Sequence, residues 1–137
     1  MAPGVLDHTG IRVRDLERSR RFYVEGLGLR SVRSRRTASG GRWERLEDPE
    51  TGAALELNVY PDNRTFREGD ELDHLAFRVD GLSGEIERLV RLGGQLKVPE
   101  TEEDGVRLAF VADPDGVWIK LFERSAPDEP PTSRPME

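Results

Sequence analysis

The chain has 137 residues, enough for one compact domain or two half-sized modules sharing a core, and too few for a multi-domain enzyme. Its 35% hydrophobic and 35% charged composition describes a soluble globular domain with enough Leu, Val, Ile and Phe to line one core. The net charge is −6, and the basic residues, all Arg except Lys97 and Lys120, read as scattered among acids, which argues against nucleic-acid or membrane partners. The absence of cysteine excludes disulfides, thiolate nucleophiles and zinc–thiolate sites. Met1-Ala2-Pro3-Gly4 carries no basic-then-apolar signal, and no stretch approaches the ~18 apolar residues of a membrane helix, so the cytoplasm is the expected location.

An internal repeat organises the chain. Leu6-Asp7-His8-Thr9-Gly10-Ile11-Arg12-Val13-Arg14-Asp15-Leu16 aligns with Leu72-Asp73-His74-Leu75-Ala76-Phe77-Arg78-Val79-Asp80-Gly81-Leu82, with six of eleven positions identical. Further on, Asp48-Pro49 before Gly52 is answered by Asp113-Pro114 before Gly116. Each half reads as strand, helix and three strands. Val5–Val13 is a predicted strand, and Asp15 is placed to cap a helix through Gly26 that buries Leu16, Phe22 and Tyr23. Strands follow at about 30–37, 42–47 and 53–60. Residues 61–71 form a polar linker between a first module at 5–60 and a second at 72–124. There the predicted strand Leu72–Val79 precedes a helix with the stripe Leu82, Ile86, Leu89 and Val90, stopped by Gly93-Gly94. Strands at about 95–99, 106–112 and 117–124 complete it, and the Pro-rich segment 125–137 reads as a disordered tail.

Strand alternation sorts these residues into faces. Ala53, Leu55, Leu57 and Val59 form a core face, leaving Glu56, Asn58 and Tyr60 on the other. Val117, Ile119 and Leu121 form the second core face, which turns Trp118, Lys120 and Phe122 outward from it and leaves Glu123 on the core parity. His8, Gly10 and Arg12 share an open face, as do His74, Ala76 and Arg78. Both histidines of the chain therefore fall at one repeat position. A hydrogen-bonded core histidine, or a structural salt bridge for Glu56, is the plainer alternative.

The residues Leu6 to Val13, Asp15-Leu16, Phe22-Tyr23, Gly26-Leu27-Gly28-Leu29, Leu55-Glu56-Leu57, Asp73 to Phe77, Ala109-Phe110-Val111 and Asp113-Pro114-Asp115-Gly116 resemble the vicinal oxygen chelate superfamily, most closely glyoxalase I. The resemblance covers roughly residues 5–124. It implies an α+β fold of paired βαβββ modules, with curled mixed sheets and helices outside, usually assembled as a homodimer. It also implies a divalent metal (Ni, Zn, Mn or Fe) on His8, Glu56 and His74. The position of the fourth ligand is Lys120, and Glu123 would replace it only if the last strand were shifted by a bulge. Arg12 resembles the arginine used toward glutathione. The asparagine expected four residues after Glu56 is Tyr60, with Asn58 nearby instead, so the thiol cofactor is left open.

Three arrangements follow for Lys120. It can work beside a three-ligand metal as a proton-transfer or anion-stabilising group, it can replace the metal by pairing with Glu56, or it can yield to Glu123. The leading function implied by the resemblance is metal-dependent lyase or isomerase chemistry on a small molecule. A proton would move to Glu56 or Lys120 while the metal stabilises an enediolate. The alternative is a metal-free small-molecule or antibiotic-binding protein of the same superfamily, as in bleomycin resistance, with Arg12, Asn58, Tyr60, Trp118 and Phe122 lining the pocket. Trp43 is readable as pocket wall or core. An iron-dependent dioxygenase ranks behind both, because it needs a final-strand Glu.

Overall fold

A computed structural model describes residues 4, 6–61, 69 and 72–124. Most of the expected linker and the whole expected tail therefore lie outside the described residues. The first module runs β1 (Thr9–Arg12), α1 (Leu16–Arg20) continuing as a π-helical segment (Arg21–Gly26), β2 (Arg30–Arg36), β3 (Arg42–Glu47) and β4 (Ala54–Val59). The second runs β5 (Leu75–Arg78), α2 (Leu82–Arg91), β6 (Gln95–Glu103), β7 (Val106–Ala112) and β8 (Trp118–Arg124). Each module builds one mixed sheet, in the orders β1-β4-β3-β2 and β5-β8-β7-β6, with the first and last strands of each module parallel.

Local chemistry explains the element ends. The Asp15 carboxylate accepts the Arg18 backbone N–H and caps α1. Gly93 adopts φ +105° after α2, and the Gly94 N–H donates to the Leu89 carbonyl at 2.8 Å, closing the last turn. Gly94 is also a close approach: a Cβ there would sit 2.9 Å from Val111 and 3.0 Å from Phe22, where the second sheet meets the first helix. Three expectations need correction. β1 and β5 begin at Thr9 and Leu75, later than the strands predicted over Val5–Val13 and Leu72–Val79, so His8 and His74 stand just before them. Val90 lies 44% exposed, off the buried stripe of Leu82 and Leu89. Strand β6 extends to Glu103 and carries Pro99, which an edge strand tolerates because one side of it has no ladder to supply.

One core draws on both modules. Ile11, Val13, Leu46, Leu55 and Leu57 from the first sheet and Ala109, Val111, Ile119 and Leu121 from the second pack with Leu16, Phe22, Tyr23, Leu82 and Leu89 of the helices. The helices thus lie against the inner faces of both sheets, and each sheet keeps an open face turned from this core. The turn before β8 locks the layers together. The Tyr23 hydroxyl donates to Asp113 Oδ2 at 2.7 Å, while Asp113 Oδ1 accepts the backbone N–H groups of Asp115 and Val117. Asp115, fully buried at its side chain, accepts from Arg14, Arg18 and Ser19. Burial pushes the Asp113 carboxyl up from its ordinary range, and burial with the nearby Asp113 charge raises the Tyr23 phenol.

A second tie joins α1 to the first sheet. Glu44, 3% exposed, lies on the core side of β3 and accepts from Arg20 Nε at 3.0 Å and from Ser31. Burial alone would raise its pKa, but the bonds from Arg20 and Ser31 outweigh it and hold the carboxyl below its ordinary value.

Two outcomes follow for stability. Tyr23→Phe removes a buried donor from Asp113 and is expected to cost about 1–3 kcal/mol by urea denaturation, with the folded spectrum retained. Glu44→Gln should be less stable than the parent at pH 7. Because the folded Glu44 pKa is depressed, its contribution is present above about 4.5 and lost as pH falls through the folded value. The gap between parent and variant should therefore close on acidification below pH 4.5.

Candidate functional site

The site residues lie on the two open faces. On the first sheet Gly10 pairs with Glu56, and on the second Ala76 pairs with Lys120, so Glu56 and Lys120 are equivalent by register. His8 and His74 each stand two residues before those pairs. His8 Nε2 lies 3.7 Å from Glu56 Oε2, with the two side chains 34% and 20% exposed. Each histidine is held by the residue before it: His8 Nδ1 is 2.8 Å from Asp7 Oδ2, and His74 Nδ1 is 2.7 Å from Asp73 Oδ2. A carboxylate beside Nδ1 suits the tautomer that carries its proton on that nitrogen, in which Nε2 offers the lone pair a metal ligand needs. The Asp-His repeat was visible in the sequence, but its orienting role was not anticipated. Asp7 is itself bound by Arg45 at 2.8 Å, and with His8 this lowers its pKa to about 2.

Around His8 and Glu56 the first face is polar. Asn58 Nδ2 lies 3.4 Å from the Ile11 carbonyl, and the Arg12 guanidinium stacks 4.4 Å from the centroid of Tyr60. Trp43 pairs with Asn58 in register and belongs to this open face, which resolves its earlier ambiguity. The second face is aromatic. His74 meets Phe110 edge-on at 5.5 Å, Phe110 lies 5.5 Å from Trp118, and Lys120 Nζ sits 6.0 Å from the centroid of Phe122. Phe110 was missed as a pocket residue, although its parity on β7 would have found it.

Three expectations meet the geometry. The expected triad is divided, because His8 and Glu56 meet on one sheet while His74 belongs to the other. Among the described residues no three His, Cys, Asp or Glu side chains gather to hold a metal ion. The Lys120–Glu56 ion pair is not formed within the chain: among the described residues, Lys120 makes no ion pair or hydrogen bond. Glu123 is not shifted onto the open face. β7 and β8 pair without interruption, and the Glu123 carboxylate accepts the Leu82 N–H at 2.8 Å at the start of α2 and pairs with Arg107 at 3.0 Å. Glu123 is a helix-terminus partner on the core side, which removes the final-strand carboxylate on which the dioxygenase alternative depended.

The fold and face chemistry define a paired βαβββ protein with a histidine–carboxylate pair on one sheet and a histidine–lysine pair on the other. The family model for the Glyoxalase/Bleomycin resistance protein/Dioxygenase superfamily matches residues 5–121, and the chain belongs to that superfamily. It is 33% identical to the protein YwbC of Bacillus subtilis over 87% of this chain and 97% of that one. It is 30% identical to the lactoylglutathione lyase of Haemophilus influenzae, over 87% of this chain and 92% of that one. The crystal structure of glyoxalase I from Zea mays superimposes with a TM-score of 0.77 at 27% identity, covering 88% of this chain and 45% of that chain.

Proposed function

We propose that the protein is a glyoxalase-like, metal-dependent enzyme that moves a proton on a small molecule with two neighbouring oxygens, and that it works as a homodimer. The observation that carries this reading is the pair of equivalent Asp–His dyads. Each frees an Nε2 on an open face, and one of them stands beside Glu56. Two oriented imidazoles and a carboxylate suit a divalent ion with positions left for substrate oxygens. His8, Glu56 and His74 would hold it, and bound there the ion supplies Lewis-acid polarisation of the substrate oxygens.

Since one chain keeps His74 apart from His8 and Glu56, the complete set needs the second sheet of another copy laid over the first. Both sheets leave an open face for this. In that cup the Glu56 carboxylate takes the proton from one of the two adjacent oxygen-bearing carbons and returns it to the other, and Lys120 presents an ammonium to the charge that develops. Phe110, Trp118 and Phe122 exclude water, while Arg12, Asn58 and Tyr60 position the substrate.

Metal content by elemental mass spectrometry tests this, using protein purified without chelator or affinity metal. About one equivalent per chain is expected, lost in His8→Ala and in His74→Ala. Mixing those two variants should then restore metal to about a quarter of the sites. A site shared across two copies leaves one intact site in each mixed dimer, whereas a site within one chain restores none. Failure of the parent to load any divalent ion would sink the reading.

A second reading is favoured by the aromatic second face, where Phe110 lies between His74 and Trp118. The protein would then bind an apolar small molecule without a metal. In that case Lys120→Glu should create divalent-ion binding where the parent has none, measured by isothermal titration calorimetry. A parent that already binds metal tightly excludes it.

A further inference from the structure

The arginines of the first sheet depart from the scattered pattern expected from the sequence. β2 is an edge strand, and its ladder to β3 pairs Arg30 with Glu47, Arg33 with Arg45 and Arg35 with Trp43, with a register shift between Ser31 and Arg33. Residues facing each other across an antiparallel ladder point to the same side. The shift at Val32 therefore brings Arg30, Arg33 and Arg35 together onto the open face that carries Glu56.

Two rows cross this face. One runs Arg33, Arg45, Glu56, Gly10, and the next runs Arg35, Trp43, Asn58, Arg12. Placing Arg33 opposite Arg45 sets like charges together, which is unfavourable in a sheet. Arg45 is already matched by Asp7 and Glu47, at 2.8 and 3.0 Å. Among the described residues Arg33 has no ion pair, and Arg35 donates only to the Ser34 carbonyl. Two exposed guanidinium groups on alternate residues of one strand, beside Trp43, therefore carry charge that the fold leaves uncompensated.

We propose that Arg33 and Arg35 form a subsite for an oxyanion, a carboxylate or phosphate, on the small molecule bound at this face. Resting on the proposed function, this assigns its substrate an anionic group about 10 Å, two strand spacings, from the Glu56 position. Guanidinium forks suit this role because each can offer two parallel N–H donors to two oxygens. Charge on an edge strand also discourages edge-to-edge pairing. That role concerns aggregation and predicts no saturable ligand.

The test is a ¹H–¹⁵N titration of the full-length chain with sodium glutarate and, separately, inorganic phosphate at constant ionic strength. The indole N–H of Trp43, assigned through Trp43→Phe, is the reporter. A saturable shift is expected with at least one anion, and which one binds more tightly separates carboxylate from phosphate. The pair Arg33→Gln and Arg35→Gln should weaken it about tenfold or more. Amide dispersion in the same spectra reports whether that variant is folded. If it is not, the pair Arg33→Lys and Arg35→Lys, which keeps charge but loses the forks, should still weaken binding measurably. No saturable shift with either anion, or an undiminished one in a folded double variant, overturns the subsite. Anion binding that persists in His8→Ala separates it from the metal. A parent that binds anion but no metal sinks the proposed chemistry alone, and one that binds metal but no anion sinks the subsite alone.

Discussion

The structure depends on how the turn before β8 grips the first helix. Tyr23 donates its hydroxyl to Asp113, while Ser19 donates its hydroxyl and Arg14 and Arg18 their guanidinium N–H groups to Asp115. These residues are about ninety or more positions apart in sequence, so the contact closes the whole chain rather than one module. A carboxylate buried as deeply as Asp115 is tolerable only with several donors, two of them charged here. Once the turn is docked, the helices are held against the core faces of the sheets, outside their open faces, and the single core follows. The open faces are then obliged to look away from it.

That geometry decides what one chain can and cannot do. It brings His8 to Glu56 and keeps His74 with Phe110 and Trp118, giving two open faces of different character at equivalent places in the repeat. The repeat preserves the Asp–His dyads while the register-equivalent pair has diverged into Glu56 and Lys120. The two faces differ in the same sense: the first is charged and hydrogen-bonding, and the second is mainly aromatic, with Lys120 and Arg78 as its cations. Two identical faces would offer a symmetrical pocket. These two offer complementary ones.

Much of this was legible because alternation in β4, β5 and β8 is clean. Leu55, Leu57, Ile119 and Leu121 are buried, and the parity they set puts Glu56 and Lys120 on the open faces. The same parity assigned Glu123 to the core side, and the uninterrupted β7–β8 ladder keeps it there. The arginine cluster on β2 was not legible, because strict alternation puts Arg30 on the opposite face from Arg33 and Arg35. A single extra residue reverses that, and no local signal in Arg-Ser-Val-Arg-Ser-Arg-Arg marks where it falls. Val90 was misassigned for a related reason: a helix of ten residues buries a narrow stripe, and the residue next to Leu89 turns away from it.

The charges on the open faces constrain the ligand further. In the proposed dimeric cup Glu56 and Lys120 offset one another, and Asp7 is consumed by Arg45 and His8. A divalent ion added to two neutral imidazoles would then leave the pocket strongly positive, with Arg33 and Arg35 adding to the field. Such a pocket discriminates against neutral and cationic molecules before any specific contact is made. It also favours proton removal from carbon, because the anion that forms is the species the field stabilises. In that proposed cup Lys120, which breaks the ligand pattern the resemblance implies at this position, would act with the arginines of β2: both would raise the positive potential around Glu56.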